Sequence, residues 1–188
     1  MRLFIALPIP PDVAVTATSS FPDLPGLRRV RPEHLHVTLA FLGAVADDRV
    51  NDVLDATRMA AAAYPAFTIR LDAVGRFPET GAPRILWLGM GKGATESTNI
   101  AAAVRRALTG SQLSFDDKPF RPHVTVARVT QDADRPTVRA IAATAERLRV
   151  PTLEFPVDAV IAYESVLSPK GPRYTARIAA PLGASNPR

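Results

Sequence analysis

Two stretches of the chain share a pattern of alternating apolar and polar side chains and almost the same residues. Residues 34 to 43 read HLHVTLAFLG, and residues 121 to 129 read RPHVTVARV. In a β-strand, the side chains of residues i and i+2 point to the same face. The histidine and threonine of each His-Val-Thr run therefore share one face, and the valine between them points to the other. The pattern predicts two similar half-buried strands, at residues 34 to 42 and 123 to 129.

The rest of the chain alternates further strand patterns with helical ones. Short apolar runs bounded by Pro and Gly indicate strands at residues 2 to 7, 67 to 78, 84 to 90, 154 to 168 and 173 to 180. Amphipathic stretches predict helices at residues 11 to 21, 49 to 64, 96 to 108 and 135 to 149. Asp47 or Asp48 stands where the N-cap of the second helix is expected. The stretch from 24 to 34 contains Pro and Gly and is predicted to be a loop.

Each half of the chain thus contains a His-Val-Thr strand, a helix and further strands. The two strand histidines are separated by nearly half of the 188 residues. Two copies at such a long period indicate a duplicated lobe rather than a solenoid. No low-complexity segment separates the halves. We therefore expect one domain, residues 1 to 188, of the α+β class with two pseudo-symmetric lobes and a mobile tail at residues 183 to 188.

Composition places the chain among ordinary globular proteins. It has 47% hydrophobic and 22% charged residues and no cysteine. The absence of cysteine excludes disulfides, thiolate metal sites and a cysteine nucleophile. The apolar run near Met1 is too short for the core of a signal peptide, and no stretch approaches the ~20 apolar residues of a membrane-spanning helix. The expected location is the cytoplasm.

The charge balance is basic. The formal net charge is +5 and the isoelectric point is near 10.2. Arginine supplies almost all of the positive charge, and its guanidinium group suits two-pronged contacts to phosphate. A composition rich in Ala, Arg and Pro can also reflect coding bias. The basic balance alone is therefore weak support for a nucleic-acid partner.

The two His-Val-Thr strands carry the candidate chemistry. If the lobes pack face to face, His36 and Thr38 meet His123 and Thr125 in one groove. Cleavage of a phosphodiester needs a base for the nucleophile, an acid for the leaving oxygen and donors for the other phosphate oxygens. A histidine pair can supply the acid and the base near pH 7, and threonine hydroxyls can donate to phosphate. The sequence is symmetric about which histidine is the acid.

Two other interpretations of these histidines remain open. A strand histidine is often a structural residue whose hydrogen bonds are satisfied within the fold. His34 and His36 also share a strand face and could form half of a metal site. A third ligand would then have to come from His123 or a carboxylate, and no known metal-binding spacing supports this. At the entrance of its strand, His34 is expected to be exposed or to contact substrate.

The paired motifs resemble those of a known family. Residues 36 to 39 and 123 to 126 look like the paired His-x-Thr motifs of the two-histidine (2H) phosphoesterases. The resemblance is greatest to the branch of RNA 2′,3′-cyclic phosphodiesterases, also named 2′-5′ RNA ligases. It covers nearly the whole chain, because MRLFIALPIP, PRILWLGM and YESVLSPKGPRYTARI resemble segments of that branch. One departure is His34, where a polar residue such as asparagine is expected.

This resemblance implies a bilobal α+β fold in which two antiparallel-type sheets line a central cleft and the helices lie outside. It implies hydrolysis of a terminal 2′,3′-cyclic phosphate of RNA to a 2′-phosphomonoester without a metal or other cofactor, and 2′-5′ joining of RNA ends as a side activity. By the pattern of the family, His36 is the proton donor to the leaving 3′-oxygen. His123 is the proton acceptor from water, and Thr38 and Thr125 hold the phosphate oxygens.

Two weaker candidates for substrate binding also follow from the resemblance. Arg128 matches an arginine of that branch, although strict alternation puts it on the face opposite to His123 unless the strand bulges or ends. Tyr174 could stack on a base at the rim of the cleft, or it could be a structural residue behind a Gly-Pro turn. Trp87 and Phe41 are expected in the core.

Several functions share these motifs. The favoured interpretation is a phosphodiesterase for RNA ends, followed by a 2H enzyme for small cyclic nucleotides or 2′-5′ oligonucleotides. A non-catalytic RNA-binding module is disfavoured because both histidines and both threonines are intact. A metallohydrolase would be revealed by sensitivity to chelators. A cleft built within one chain needs no partner chain, so we expect a monomer that does not bind membranes.

Overall fold

The structure, a computed structural model, describes residues 1 to 169 and 171 to 183. Within these residues it contains nine strands and four α-helices. The strands are β1 (Arg2–Pro8), β2 (Leu27–Arg29), β3 (His36–Ala44), β4 (Phe67–Phe77), β5 (Ile85–Lys92), β6 (His123–Val129), β7 (Leu153–Val157), β8 (Ala159–Ser168) and β9 (Gly171–Pro181). The helices are α1 (Pro11–Ser19), α2 (Val50–Ala62), α3 (Ala94–Gly110) and α4 (Arg135–Arg147). Two short 3₁₀ turns, Pro32–His34 and Asp47–Arg49, precede β3 and α2.

The strands form two antiparallel sheets. The first sheet has the order β3-β1-β8-β9, and the second has the order β2-β6-β5-β4-β7. Every pair of neighbouring strands is antiparallel. The expected α+β fold with two antiparallel sheets is therefore confirmed. Position by position, β6-β5-β4-β7 matches β3-β1-β8-β9, so the two strands that carry the His-x-Thr motifs are counterparts.

The two lobes do not coincide with the two halves of the sequence. The first sheet combines β1 and β3, from the N-terminal part of the chain, with β8 and β9, from the C-terminal part. The second sheet comes mostly from the chain between them. Buried side chains of both sheets belong to one continuous core cluster. The exchange of strands thus links the two lobes through a shared core.

The faces of the motif strands that point away from the histidines are buried in this core. Val37 and Leu39 of β3 and Val124 and Val126 of β6 are fully buried, as the alternation predicts. Burial of each such side chain stabilises the fold by about 1.5–3 kcal/mol. Helices α2 and α3 pack against each other, with α2 on β8 and β9 and α3 on β3 and β5, while α1 and α4 pack on strands of the second sheet.

Two local predictions near the N-terminus are wrong. The stretch predicted as a loop contains β2, which pairs with β6 and places the apolar side chain of Leu27 in the core. Asp47 and Asp48 do not cap α2, because they lie in the 3₁₀ turn and Arg49 occupies the N-cap position without a capping side chain. The Asp47 carboxylate instead lies 3.3 Å from the N-terminal ammonium group.

Two further expectations concern a mobile C-terminal tail and the absence of a membrane-spanning helix. The predicted mobile tail begins at Gly183, whose amide donates a hydrogen bond of 2.7 Å to the Tyr64 carbonyl. Residues 184 to 188 lie outside the described residues. In the part of the chain that the structure describes, no helix has an apolar stretch long enough to cross a membrane.

Candidate active site

A β-bulge follows the threonine in both His-x-Thr strands. The pairing of β3 with β1 skips Leu39, and the pairing of β6 with β5 skips Val126. Two consecutive residues are buried at each of these positions, because a bulge interrupts the alternation of a strand. After the bulge, each side chain points to the face opposite to the one that strict alternation predicts. The residue five places after each histidine, Phe41 in β3 and Arg128 in β6, consequently shares the face of that histidine.

The bulges determine the outcome of two predictions made from the sequence, those for Arg128 and Phe41. Arg128 lines the same cavity as His123 and Thr125, which the sequence permits only if β6 bulges or ends. The prediction that Phe41 belongs to the core is wrong. Phe41 is half-buried in the wall of the cleft, and the guanidinium of Arg2 lies 4.9 Å from the centre of its ring.

The prediction that Trp87 belongs to the core is also wrong. Its indole is half-buried on the histidine face of β5, with its ring centre 6.1 Å from that of His123 and 5.2 Å from that of Phe77. Glycines leave room for it on both sides. A Cβ atom added at Gly75 would lie 2.2 Å from the indole, and one added at Gly89 would lie 2.9 Å from it. The two glycines therefore leave space for the Trp87 indole beside His123.

We expect the substitution Gly75→Ala to displace the Trp87 indole and to destabilise the protein by about 1–3 kcal/mol, the usual cost of overpacking. Gly110→Ala is the matched control, because a Cβ atom there meets no atom within 4 Å. Thermal unfolding and the NMR signals of the His123 ring measure the two effects. A melting temperature for Gly75→Ala equal to that of Gly110→Ala would contradict the expected clash.

The imidazoles of the two motifs are held in the same way. Nδ1 of His36 lies 2.8 Å from the carbonyl oxygen of His34, and Nδ1 of His123 lies 2.6 Å from that of Arg121. A carbonyl oxygen only accepts hydrogen bonds, so each Nδ1 carries a hydrogen and donates it. The other ring nitrogen, Nε2, is then free to take or give a proton. The two strands thus present equivalent reactive nitrogens from the two sheets.

Aromatic rings pack against both imidazoles. The centre of the His36 ring is 4.8 Å from that of Phe4 and 5.6 Å from that of Tyr174. The centre of the His123 ring is 5.0 Å from that of Phe77, and the two rings are perpendicular. These contacts help to hold each imidazole in the orientation that its Nδ1 hydrogen bond favours. They also remove water from the imidazoles.

Burial lowers the pKa of both histidines. The pKa of His36 falls from 6.5 to about 4, mainly because the ring is desolvated, with smaller effects from the charges of His34, Arg128 and His123. The pKa of His123 is also lowered, first by burial and then by Arg128 and Arg121. The hydrogen bonds to backbone carbonyls act in the opposite direction. Both rings are therefore neutral at pH 7 in the free protein, and an anion bound between them favours protonation.

One cavity of about 700 Å³ brings together the six residues that the sequence singles out, His36, Thr38, His123, Thr125, Arg128 and Tyr174. Arg28, Arg29 and Arg31 also line it, so we name it the arginine cavity. None of the described residues that line it carries a carboxylate. Four guanidinium groups around two neutral imidazoles favour the binding of a polyanion.

The three arginines of residues 28 to 31 were not predicted as site residues. They lie in β2 and just after it, within the stretch that is predicted as a loop. The pairing of β2 with β6 sets Arg28 opposite Arg128 and brings the cluster to the cleft. The only signal in the sequence is the local density of arginine in LRRVR. Arginine density alone does not distinguish a binding surface from a solvated loop.

A second cavity, of about 560 Å³, adjoins the first at Thr38 and His123, which line both. Phe41, Phe77 and Phe120 form its aromatic wall, so we name it the phenylalanine cavity. Its other lining residues are Leu39, Ala40, Pro78, Glu79, Arg105, Asp116, Lys118, Pro119 and Arg121. His36 and Thr125 line only the arginine cavity.

His34 does not share a strand face with His36. It lies half-buried in the 3₁₀ turn before β3, and the centre of its ring is 4.8 Å from that of Tyr174. Across residues 1 to 169 and 171 to 183, no three His, Asp or Glu side chains lie close enough together to hold a metal ion. His34 lines the arginine cavity, and its contact with substrate stays a prediction.

Comparison with known proteins identifies the family. The model of the 2′-5′ RNA ligase superfamily matches residues 10 to 166. The chain is similar to the RNA 2′,3′-cyclic phosphodiesterase of Archaeoglobus fulgidus, with 33% identity over 93% of this chain and 96% of that relative. Among solved structures, it is similar to TT0787 of Thermus thermophilus, with a TM-score of 0.78 and 30% identity over 99% of this chain and 100% of the other. It is also similar to E. coli LigT complexed with NADP+, with a TM-score of 0.73 and 25% identity over 97% of both chains. The resemblance of the paired motifs is thus confirmed, and the chain belongs to the 2′-5′ RNA ligase superfamily.

Proposed function

We propose that this protein is a phosphodiesterase that hydrolyses the 2′,3′-cyclic phosphate at the end of an RNA to a 2′-phosphomonoester. One observation carries the proposal. His36 and His123 come from different sheets, are each held through Nδ1 by a backbone carbonyl, and line one cavity with Thr38 and Thr125. An acid and a base can thus act on the two ends of an in-line displacement at phosphorus. The name of the Archaeoglobus fulgidus relative supports the same reaction.

In this mechanism, His123 is the base and His36 is the acid. The water oxygen attacks phosphorus while Nε2 of His123 takes its proton. The bond between phosphorus and O3′ breaks, and O3′ receives a proton from Nε2 of His36. The phosphate stays on O2′, and no metal ion takes part. The choice of His36 as the acid follows the pattern of the family, because the Nδ1 contacts of the two rings are alike.

The phosphate group of the substrate itself favours the protonated form of His36 that acts as the acid. His36 is neutral in the free protein, since its pKa is about 4. A phosphate anion in the cavity raises this pKa by direct attraction to the imidazolium. Thr38 and Thr125 donate hydrogen bonds to the non-bridging oxygens, and the Arg128 guanidinium stabilises the negative charge that builds on them in the transition state.

The arginine cavity favours RNA as the source of the cyclic phosphate. Tyr174 packs against His36 on the side of the leaving oxygen and presents a ring on which the terminal base can stack. Arg28 and Arg29 lie further along the same cavity. Phosphates that precede the terminal nucleotide can pair with such side chains, and this attraction weakens as the salt concentration rises.

The identity of the product tests the proposal. The purified protein, with excess EDTA, is given 2′,3′-cyclic AMP and an RNA that ends in a 2′,3′-cyclic phosphate. Phosphorus NMR then assigns the phosphate of the product. EDTA-resistant formation of a 2′-phosphate is expected, with a higher kcat/KM for the RNA. The absence of turnover on both substrates would overturn the proposal in favour of a binding module.

The variant His34→Ala separates acid–base catalysis from metal catalysis. If His34 and His36 shared a metal, removal of either ring would abolish activity, and EDTA would do the same. We expect His34→Ala to keep most of the turnover and to change KM, because His34 reaches the cavity only beside Tyr174. Loss of activity with EDTA, together with an inactive His34→Ala, would replace the two-histidine mechanism by a metal-dependent one.

The dependence of the rate on pH is expected to be bell-shaped and to peak below neutrality. The reacting pair must hold one proton, so kcat/KM rises with pH as the first proton leaves the pair and falls as the second one leaves. Burial lowers the pKa of both histidines below 6.5, and that of His36 to about 4. The bound phosphate raises both pKa values, so the bell for kcat lies at higher pH than that for kcat/KM. Initial rates from about pH 4 to about pH 9 measure both curves. A kcat/KM that rises steadily over this range would contradict the mechanism.

A further inference from the structure

The tip of the hairpin formed by β8 and β9 presents exposed apolar side chains beside the candidate active site. Four large apolar residues are exposed in the described part of the chain, and two of them, Val166 and Leu167, are consecutive near the end of β8. A single exposed apolar side chain is ordinary on a protein surface. These two differ because their neighbours at the tip, Ser168, Gly171 and Pro172, line the arginine cavity.

The pairing of β8 with β9 shows which face of the hairpin each side chain occupies. Leu167 is directly opposite Pro172, and opposed residues of an antiparallel pair share a face. Residues i and i+2 of one strand also share a face, so Tyr174 lies on that of Pro172. Both line the arginine cavity, whereas Val166 points to the other face. We name the row Tyr174, Pro172 and Leu167 the hairpin ridge.

The fold holds the hairpin ridge in place at both ends. The ring of Tyr174 packs edge-on against that of His36, with 5.6 Å between the ring centres. The two strands pair without a register shift over residues 163 to 168. At the tip, the Ser168 hydroxyl donates a hydrogen bond of 2.7 Å to the Gly171 carbonyl. The ridge thus begins beside the reacting histidine and ends at the exposed tip.

Charge favours a single strand of RNA as the molecule that covers the ridge. The cavity beside it is lined by Arg28, Arg29, Arg31 and Arg128, and none of its described lining residues carries a carboxylate. Single-stranded nucleic acid is bound by sites that combine cations for the phosphates with flat or apolar side chains for the bases. An apolar segment of a protein partner would match the ridge but not the four neighbouring cations.

The spacing along the ridge fits consecutive nucleotides that are not stacked on each other. Side chains at positions i and i+2 of a strand are about 7 Å apart, which is about twice the 3.4 Å rise per nucleotide of a stacked strand. In the proposed function, the terminal base lies on Tyr174. The base before it would then reach the next side chains of the ridge, Pro172 and Leu167.

We propose that Pro172 and Leu167 form a subsite for the base of the penultimate nucleotide, and that this subsite makes the protein prefer RNA ends to cyclic mononucleotides. The inference rests on the proposed function, which places the terminal nucleotide. The phosphate between the two nucleosides faces Arg28 and Arg29. Every base has a flat face that can rest on an apolar surface. The subsite therefore selects for the presence of a second base and not for its identity.

Three substrates test the subsite. They are 2′,3′-cyclic AMP, the adenine dinucleotide that ends in a 2′,3′-cyclic phosphate, and the same dinucleotide without its first base. We expect the wild type to have the highest kcat/KM for the complete dinucleotide. Leu167→Ser should lower the ratio of kcat/KM for the complete dinucleotide to that for 2′,3′-cyclic AMP about fivefold, as for the loss of half of the full burial of a leucine. The same ratio for the abasic dinucleotide should not change.

The matched control is Val166→Ser. It removes an exposed apolar side chain from the adjacent position of β8, on the opposite face of the hairpin, so both ratios should stay at the wild-type values. Melting temperatures confirm that both variants are folded. Calorimetry with the product dinucleotide, which ends in a 2′-phosphate, gives the same comparison from affinities and does not depend on turnover.

The outcomes distinguish this inference from the proposed function. If 2′,3′-cyclic AMP is hydrolysed but Leu167→Ser keeps the wild-type ratio, or both variants lose it equally, the inference is wrong and the proposed function stands. Equal kcat/KM values of the wild type for the complete and abasic dinucleotides would also overturn the inference, because the added phosphate would then explain the preference. If no substrate is turned over, the proposed function is wrong. The product affinities then decide the inference, which requires weaker binding by Leu167→Ser alone.

Discussion

Replacing either His36 or His123 by alanine is expected to lower kcat for hydrolysis of a 2′,3′-cyclic phosphate by about 10² to 10⁴-fold. Each substitution removes one of the two proton transfers. Thr38, Thr125 and Arg128 remain, so substrate binding should be affected much less than turnover. Steady-state kinetics with 2′,3′-cyclic AMP separate the two parameters.

The double variant is an internal control for this result. Two groups that act in one concerted displacement are not additive, so the variant that lacks both histidines should be little slower than either single one. Independent losses that multiply would show that the two rings act in separate steps. A His36→Ala or His123→Ala enzyme with nearly the turnover of the wild type would remove that residue from the mechanism.

A substrate with an activated leaving group distinguishes the acid from the base. A p-nitrophenyl phosphodiester releases a phenolate that needs no proton, so loss of the general acid matters little for it. The His36→Ala variant should therefore retain far more of its activity on this substrate than the His123→Ala variant does. The reverse pattern would exchange the two roles, which the similar Nδ1 contacts of the rings permit.

Replacing Arg128 by alanine is expected to reduce kcat by about 10² to 10³-fold, the usual effect of removing a group that stabilises transition-state charge. Arg128 lines the arginine cavity together with His123 and Thr125, and we propose that its guanidinium contacts the phosphate there. The cation also lowers the pKa of both histidines, after the larger effect of burial. The alanine variant should therefore show its kcat/KM bell at higher pH than the wild type.

The variant Arg128→Lys separates the charge from the geometry. Lysine keeps the positive charge, so the pH dependence of kcat/KM should stay near that of the wild type. It lacks the planar fork that contacts two phosphate oxygens together, so kcat should still fall. A normal kcat in Arg128→Lys would show that the positive charge alone is enough to stabilise the transition state. A normal kcat in Arg128→Ala, measured in the same assay, would exclude Arg128 from transition-state stabilisation.

The strands and helices were predictable because their signals are local. Alternation with a period of two locates β3 and β6 to within two residues, and their valines are buried as predicted. Amphipathic periodicity likewise locates all four helices. The N-cap of α2 failed because the two aspartates fit a 3₁₀ turn as well as a cap. β2 was missed because three residues carry no periodicity, and only its partner β6 makes it a strand.

The side-chain environments around the histidines were not predictable in the same way. Phe41 and Arg128 hold equivalent positions, five residues after each histidine, and alternation places both on the wrong face. The bulges that correct them depend on the pairing of β3 with β1 and of β6 with β5. Trp87 lies beside His123 because Gly75, on another strand, leaves space for its indole. Contacts between strands thus decide these positions.

Short runs of adjacent residues were enough to identify the histidine and threonine of each motif, the strand face that they share, and the family. Three properties of the site came from the folded chain instead: both motifs line one cavity, burial lowers the pKa of His36 to about 4, and a second, aromatic cavity adjoins His123. The exchange of strands between the lobes is a further property that came from the folded chain. These features arise from packing between segments far apart in sequence, where water is excluded and charges are brought together, and no local pattern encodes them.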